Sequence, residues 1–174
     1  MLCGTGSARF SRSGEKQMGL FFTGKELINI AVGIEKNGAA FYDVILASVK
    51  DDTVRKTFQY LADSEREHIK IFGNMLESIS DYQPPETYTE EYETYLKSLI
   101  DSAVFSNEQK AKDIASKISN IDEAIQIALT AEKESILFYS ATQELIKQSE
   151  QDVISKIIDE EKSHLRQLLK LRKT

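Results

Sequence analysis

Hydrophobic residues recur along most of the chain at steps of three and four, which is the spacing of one face of an α-helix. Four such stripes are long enough to form helices, at about residues 23–49, 52–79, 121–147 and 150–172. Only a few residues separate the first two stripes, and the same is true of the last two. Each pair is therefore predicted to be an antiparallel helical hairpin.

Residues that start and stop helices flank these stripes. Thr23 has a glutamate three residues later, which is the pattern of a capping box, and Asn120 precedes the third stripe with the same spacing. Asp51 is a candidate cap for the second helix, and the proline pair at 84–85 cannot continue that helix. These signals support the four predicted helices.

A long segment, about residues 80–120, links the two hairpins and is rich in Tyr and Glu. We expect it to contain one or two short helices. Two hairpins with one long link between them are the connectivity of ferritin-like bundles. We therefore predict an all-α fold over residues 20–174, a ferritin-like antiparallel four-helix bundle with a long crossover between helices 2 and 3.

Composition and charge restrict the function classes. The chain is 41% hydrophobic and 29% charged, with a net charge of −6, so neither nucleic acid nor an anionic membrane is an expected partner. No apolar run approaches the roughly 20 residues that span a bilayer. Residues 1–19 lack a secretory pattern and are interpreted as a disordered leader or cloning remnant, with Met18 as an alternative start. The single cysteine, Cys3, favours a reducing cytoplasm.

Ionisable residues interrupt each stripe near its middle, where a hydrophobic residue is expected. Stripes 1 and 3 each carry one glutamate there, and stripes 2 and 4 each carry a glutamate followed three residues later by a histidine. The pattern of the first hairpin thus recurs in the second, which indicates a duplication. The six residues are Glu35, Glu65, His68, Glu132, Glu161 and His164.

Four carboxylates at the middle of a bundle would be costly to bury and would raise one another's pKa. Two divalent cations would neutralise them, and carboxylate and imidazole ligands suit iron or manganese. One Glu from each of two helices with Glu-x-x-His from each of the other two is the ligand arrangement of di-iron bundles. We predict two iron ions, with manganese or zinc as alternatives, and expect Glu35 and Glu132 to bridge them.

Simpler interpretations stay open for these residues. Glu35 and Glu132 would be partly exposed if they paired with Lys36 and Lys133, and the two histidines would then be ordinary core residues. Three glutamates outside the stripes are expected in solvent: Glu67, Glu134 and Glu160.

Tyr42 and Tyr139 lie two turns after the glutamates of stripes 1 and 3. They are either core aromatics or donors of hydrogen bonds to a ligand carboxylate.

At these positions the sequence resembles the rubrerythrin family, over about residues 24–172. The resemblance is clearest at 120–124, at 131–135 and at Phe138-Tyr139. It implies a non-haem di-iron site held by the six residues, oxidation by hydrogen peroxide or oxygen, and a homodimer. Family members usually also carry a four-cysteine rubredoxin-like domain, and generally a further glutamate where this sequence has Ser135.

The functional expectation is a di-iron oxidoreductase that reduces hydrogen peroxide or oxygen. With one cysteine in the sequence, the electrons would come from an external donor protein such as a rubredoxin. Two alternatives remain, a ferroxidase or iron-handling protein without peroxidase turnover, and a structural bundle stabilised by its metals.

Overall fold

The computed structural model describes residues 22–79 and 88–172, so the predictions for residues 1–19 and for the prolines at 84–85 lie outside the described residues. Within those ranges the chain forms helices and turns, with no strand. The helices are α1 (Gly24–Ser48), α2 (Asp52–Ser78), α3 (Glu90–Asp101), α4 (Glu108–Ala115), α5 (Ile121–Thr142) and α6 (Gln148–Leu171), with a 3₁₀ turn at Gln143–Leu145.

Side-chain caps start the first three long helices where the sequence predicts them. The Thr23 hydroxyl accepts a hydrogen bond from the Glu26 amide at 3.2 Å, and the Glu26 carboxylate accepts one from the Thr23 amide at 2.7 Å. This reciprocal pair is the predicted capping box. Asp51 accepts bonds from two amides in the first turn of α2, and Asn120 accepts one from the Glu123 amide. Each cap satisfies amide groups that would otherwise lack partners.

The third long helix is shorter than predicted. It ends at Thr142 instead of about residue 147, because the chain tightens into the 3₁₀ turn and then extends at Ile146. The Gln143 side chain fixes this turn by donating to the Gln151 carbonyl at 3.2 Å and to the Ser155 hydroxyl at 2.5 Å. As a result α6 begins at Gln148, two residues earlier than predicted.

The described part of the crossover, residues 88–120, contains two short helices, in agreement with the one or two that the sequence predicts. Helix α4 packs on α1, and helix α3 packs on α5. Helices α1 and α2 form one hairpin, α5 and α6 form the other, and the hairpins meet through α1 with α5 and α2 with α6. Within the described ranges, no helix is both long and apolar enough to cross a membrane.

Two apolar clusters fill the bundle, one at each end. The first joins the start of α1 to the end of α2 and includes Leu27, Phe72 and Ile157. The second joins the end of α1 to the start of α2 and includes Phe58 and Leu168. Both hairpins are therefore antiparallel. A layer of buried polar residues lies between the two clusters.

Candidate metal centre

All six residues that the sequence singles out lie in this buried layer. Both histidine side chains are fully buried, and the most exposed member of the set, Glu65, is only 5% exposed. Glu35 and Glu132 are 1% and 2% exposed, so the alternative in which they face solvent beside lysines is wrong. The helical stripes therefore predicted correctly which ionisable residues point inward.

The six residues form two groups of four in which the possible ligand atoms lie within 4.8 Å of one another. In the first group, His68 Nδ1 lies 3.3 Å from Glu35 Oε2, 3.0 Å from Glu161 Oε1 and 3.9 Å from Glu65 Oε2. We call this group of Glu35, Glu65, His68 and Glu161 the first position.

The second position consists of Glu65, Glu132, Glu161 and His164. Here His164 Nδ1 lies 3.4 Å from Glu132 Oε2 and 3.1 Å from Glu161 Oε2. Glu65 and Glu161 belong to both positions, whereas Glu35 and Glu132 each belong to one. The geometry thus differs from the expectation that Glu35 and Glu132 bridge. The shared carboxylates come from the two Glu-x-x-His helices.

Helices α1 and α2 pack closely where Glu65 enters the layer. Helix α1 has a glycine, Gly38, directly opposite Glu65, and a Cβ atom at that place would lie 3.3 Å from the carboxyl carbon of Glu65. A larger residue would press on this carboxylate.

The donor atoms fit a pair of hard divalent ions. Each position offers three carboxylates and one imidazole, a set that suits iron or manganese, and zinc as well. Glu132 Oε2 and Glu161 Oε1 are buried, and the imidazole nitrogens 3.4 and 3.0 Å away do not make well-aligned hydrogen bonds to them. Such atoms are costly to bury unless a cation binds them.

In the absence of metal, protons on two of the carboxyls would reduce the negative charge of the layer. Burial, reinforced by the negative charges of Glu35 and Glu161, raises the pKa of Glu65 well above its usual value. Burial and the charge of Glu161 raise the pKa of Glu132 to about 8. Without metal these two carboxyls would be protonated at neutral pH.

The two histidines retain protons for a different reason. Burial lowers the pKa of each imidazole, but neighbouring carboxylates outweigh this effect. Glu161 and Glu35 raise the pKa of His68 to about 11, and Glu132 and Glu161 raise that of His164 to about 10. Hydrogen bonds from Glu132 and the two imidazoles outweigh burial at Glu161 and lower its pKa. A cation would replace these protons.

Two tyrosines connect the hairpins across the layer. The hydroxyl of Tyr42 in α1 donates to Glu132 in α5, and the hydroxyl of Tyr139 in α5 donates to Glu35 in α1. Burial and the nearby carboxylates raise both tyrosine pKa values well above the usual range, so each hydroxyl keeps its proton. These contacts match the role of hydrogen-bond donor that the sequence left open for Tyr42 and Tyr139.

The outer ring nitrogens of the histidines have different surroundings. His68 Nε2 lies 3.0 Å from a carboxylate oxygen of Glu160, whose side chain is 56% exposed. Glu160 is exposed, as expected, and in addition it contacts this imidazole. His164 Nε2 is buried without a hydrogen-bond partner among the described residues, and the edge of the Tyr60 ring packs on this imidazole at a centroid distance of 5.7 Å.

Comparisons with known proteins agree with this geometry. The family model described as Rubrerythrin matches residues 26–172. A solved structure described as a ferritin-like diiron-carboxylate protein from Thermotoga maritima is similar, with 26% sequence identity and a TM-score of 0.63. The similarity covers 87% of this chain and 95% of that chain. A comparison with curated protein sequences found no match. The predicted ferritin-like fold is confirmed.

Proposed function

Since the chain belongs to the rubrerythrin family, we propose that it is a non-haem di-iron oxidoreductase that reduces hydrogen peroxide or oxygen. The main support is the pair of buried four-residue positions that share Glu65 and Glu161. Two ions held side by side by shared carboxylates can deliver two electrons to one oxidant. Reduction of peroxide then consumes two electrons and two protons and yields two water molecules.

The proposed ligands divide between the positions. Glu35 and His68 would hold one ion, Glu132 and His164 the other, and Glu65 and Glu161 would bind both. Bound iron(II) would supply the electrons and polarise the O–O bond. Manganese and zinc suit the same donor atoms, and zinc would have no redox activity.

The protein's own residues would orient these ligands and exclude water. The hydroxyls of Tyr42 and Tyr139 hold Glu132 and Glu35 in place across the bundle. The two apolar clusters seal the layer from both ends. Exclusion of water at the two ends of the layer favours controlled reaction of the oxidant there.

The proposal is tested by stopped-flow mixing of the iron(II)-loaded protein with hydrogen peroxide and, separately, with oxygen. We expect rapid absorbance of iron(III), with one peroxide consumed per two irons. Glu161→Ala should lose the rapid phase, because this residue belongs to both positions. Glu67→Ala is the matched control, since Glu67 is an exposed glutamate on the neighbouring helix that pairs with Lys70. Oxidation of the native protein no faster than that of Glu161→Ala would refute the proposal.

An iron-handling role is the second candidate, and one residue favours it. Ser135 stands where rubrerythrins generally have a further glutamate, and its hydroxyl bonds to the Ala131 carbonyl instead of pointing at a ligand. A ferroxidase would keep oxidising iron(II) added beyond two equivalents and would release the product. A peroxidase would stop until a donor such as reduced rubredoxin restores it. Sizing chromatography would separate the proposed homodimer from a storage cage.

A further inference from the structure

A cavity of about 450 Å³ lies beside the candidate metal centre. Helices α1 and α5 form its sides, and the connection between α3 and α4 covers it. Its inner end reaches three residues of the buried layer, namely Tyr42, Glu65 and Glu132. The cavity therefore leads directly to the carboxylates of the second position.

Most of the surface of this cavity is apolar, although its inner end is polar and Asp101 and Glu134 also line it. Ile34 and Phe138 line it from the bundle, and Leu99, Ile100 and Phe105 line it from the crossover. Pockets with apolar walls and a few converging polar groups bind organic molecules by burying the body and orienting one polar group. A ligand that fits would have an apolar body and one oxygen-containing end.

Small residues create the space next to the carboxylates. Gly33 and Gly38 line the cavity from α1, and Ser135 lines it from α5. A Cβ atom added at Gly33 would meet nothing within 4 Å. Ser135 is smaller than the glutamate that rubrerythrins generally have there, so its side chain leaves space beside Glu132.

The cover of the cavity is attached to both walls. The Asn37 side chain, which is buried in α1, donates to the Phe105 carbonyl at 3.0 Å. The Val104 amide donates to the Glu134 carboxylate of α5 at 2.8 Å. Glu134 is therefore half-buried and bonded, which corrects the expectation that it is solvated. Because two hydrogen bonds hold the cover, the cavity is a preformed feature of the fold.

The size of the cavity exceeds what hydrogen peroxide needs. Peroxide has two heavy atoms, and one water occupies about 30 Å³ of liquid. An apolar cavity of about 150 Å³ is already enough for benzene. The volume of about 450 Å³ thus fits an organic body the size of a substituted ring or a medium alkyl chain.

We propose that this cavity binds organic hydroperoxides, with the apolar body against the walls and the hydroperoxide group at the Glu65 and Glu132 end. This inference rests on the proposed peroxide-reducing function and names its substrate class. The O–O bond breaks, and two electrons from the di-iron(II) centre and two protons convert ROOH into ROH and water. The product alcohol keeps the apolar body and leaves through the cavity.

Binding can be tested apart from turnover with the full chain loaded with zinc, which cannot reduce the ligand. Isothermal titration with cumene hydroperoxide should show saturable binding to the native protein. Gly33→Leu places a side chain in the cavity and should weaken binding about tenfold or more, since one misfitting group in an apolar pocket has an effect of this size. Gly73→Leu is the matched control, because Gly73 is also helical with open space around its Cβ and lies outside the cavity lining.

The same three proteins, loaded with iron(II), give the kinetic test. Rates of iron oxidation are measured with cumene hydroperoxide and with hydrogen peroxide. Gly33→Leu should lower the ratio of the organic to the inorganic rate about tenfold or more, whereas Gly73→Leu should leave that ratio at the native value.

The outcomes separate the two proposals. If hydrogen peroxide oxidises the protein but cumene hydroperoxide neither binds nor responds to Gly33→Leu, the organic substrate class is wrong and the peroxide function stands. If neither peroxide nor oxygen oxidises the iron, the proposed function is wrong. The zinc titration then still decides whether the cavity takes the ligand, and absence of saturable binding overturns this inference.

Discussion

The two hairpins supply the same candidate ligands to the centre of the bundle but differ just outside it. Glu160 precedes the glutamate of α6, and its carboxylate lies on the outer nitrogen of His68 at 3.0 Å. At the corresponding place in α2 the chain has Ser64, and the outer nitrogen of His164 has no hydrogen-bond partner among the described residues. The inner surface is therefore the same in the two hairpins while the outer surface differs, and the two positions are expected to bind metal unequally.

The largest effect should come from removing a shared carboxylate instead of an unshared one. Glu161→Ala removes a ligand from both positions, whereas Glu35→Ala removes one from the first position only. We expect Glu35→Ala to keep about one iron per chain. Glu161→Ala should lose more than about 100-fold in metal affinity at both positions, because loss of a ligand exceeds the effect of losing a residue that only hydrogen-bonds to a ligand. Metal analysis after dialysis measures the stoichiometry. Equal losses in the two variants would contradict the sharing of Glu161.

The next largest effect should be a difference between the two positions in the pH dependence of their metal affinity. Because the pKa values of Glu132 and His164 are raised to about 8 and about 10, the second position must release a proton from each when metal binds near neutral pH. The first position releases one from its imidazole, whose pKa is raised to about 11, and the shared Glu65, whose pKa is also raised, adds one proton at either position. Protons are retained below these pKa values, so affinity falls as the pH falls, and it should fall more steeply at the second position.

This difference can be measured in single-position variants. Glu35→Ala keeps the second position and Glu132→Ala keeps the first. Between pH 7 and pH 6 each extra released proton lowers the association constant about tenfold. Titration calorimetry in buffers of different ionisation enthalpy counts the protons. Identical pH slopes in the two variants would show that the positions do not differ in this way.

A smaller effect is expected from the outer contacts themselves. Glu160→Gln should weaken the first position by about tenfold, the lower end of the range for groups that orient a histidine ligand, because the Glu160 side chain is 56% exposed. Ser64→Asp should strengthen the second position if its carboxylate reaches His164.

Calorimetric titration with zinc would detect both changes. Asp159→Asn is the control for Glu160→Gln, since Asp159 is exposed on the same helix and pairs with Lys162. An equal effect of Asp159→Asn would attribute the change to general charge and not to the contact with His68.

The sequence predicted the inner surface of the centre because helical periodicity determines which residues face the core. Glu35 and Glu132 interrupt apolar stripes, and burial follows from that position alone. Glu160 and Glu134 lie off the stripes, and their contacts depend on a neighbouring helix and on the crossover. Periodicity within one helix contains no information about such contacts. Sharing by Glu65 and Glu161 is likewise set by the way in which α2 and α6 approach each other.

The boundary between α5 and α6 shows the same limit. No glycine or proline marks the end of α5, and the turn at Gln143 is held by side-chain bonds to residues of the next helix. By contrast the starts of α1, α2 and α5 carry local caps, which a sequence pattern reveals. Local signals were predictable, and tertiary ones were not.

The hairpins also differ in how their helices begin, and this difference gives the smallest expected effect, a change in the free energy of unfolding. Helix α1 starts with the Thr23–Glu26 capping box, whereas α6 starts at Lys147 without a side-chain cap and has Glu150 three residues later. Lys147→Ser would complete a Ser-x-x-Glu box, and the backbone there is already extended, with φ −50° and ψ 132°. We expect a gain of about 0.5–1 kcal/mol, or about 1–4 °C in Tm by thermal denaturation. Lys147→Ala loses the same charge without adding a hydroxyl, so an equal gain from it would mean that removal of the lysine, and not the cap, stabilises the helix.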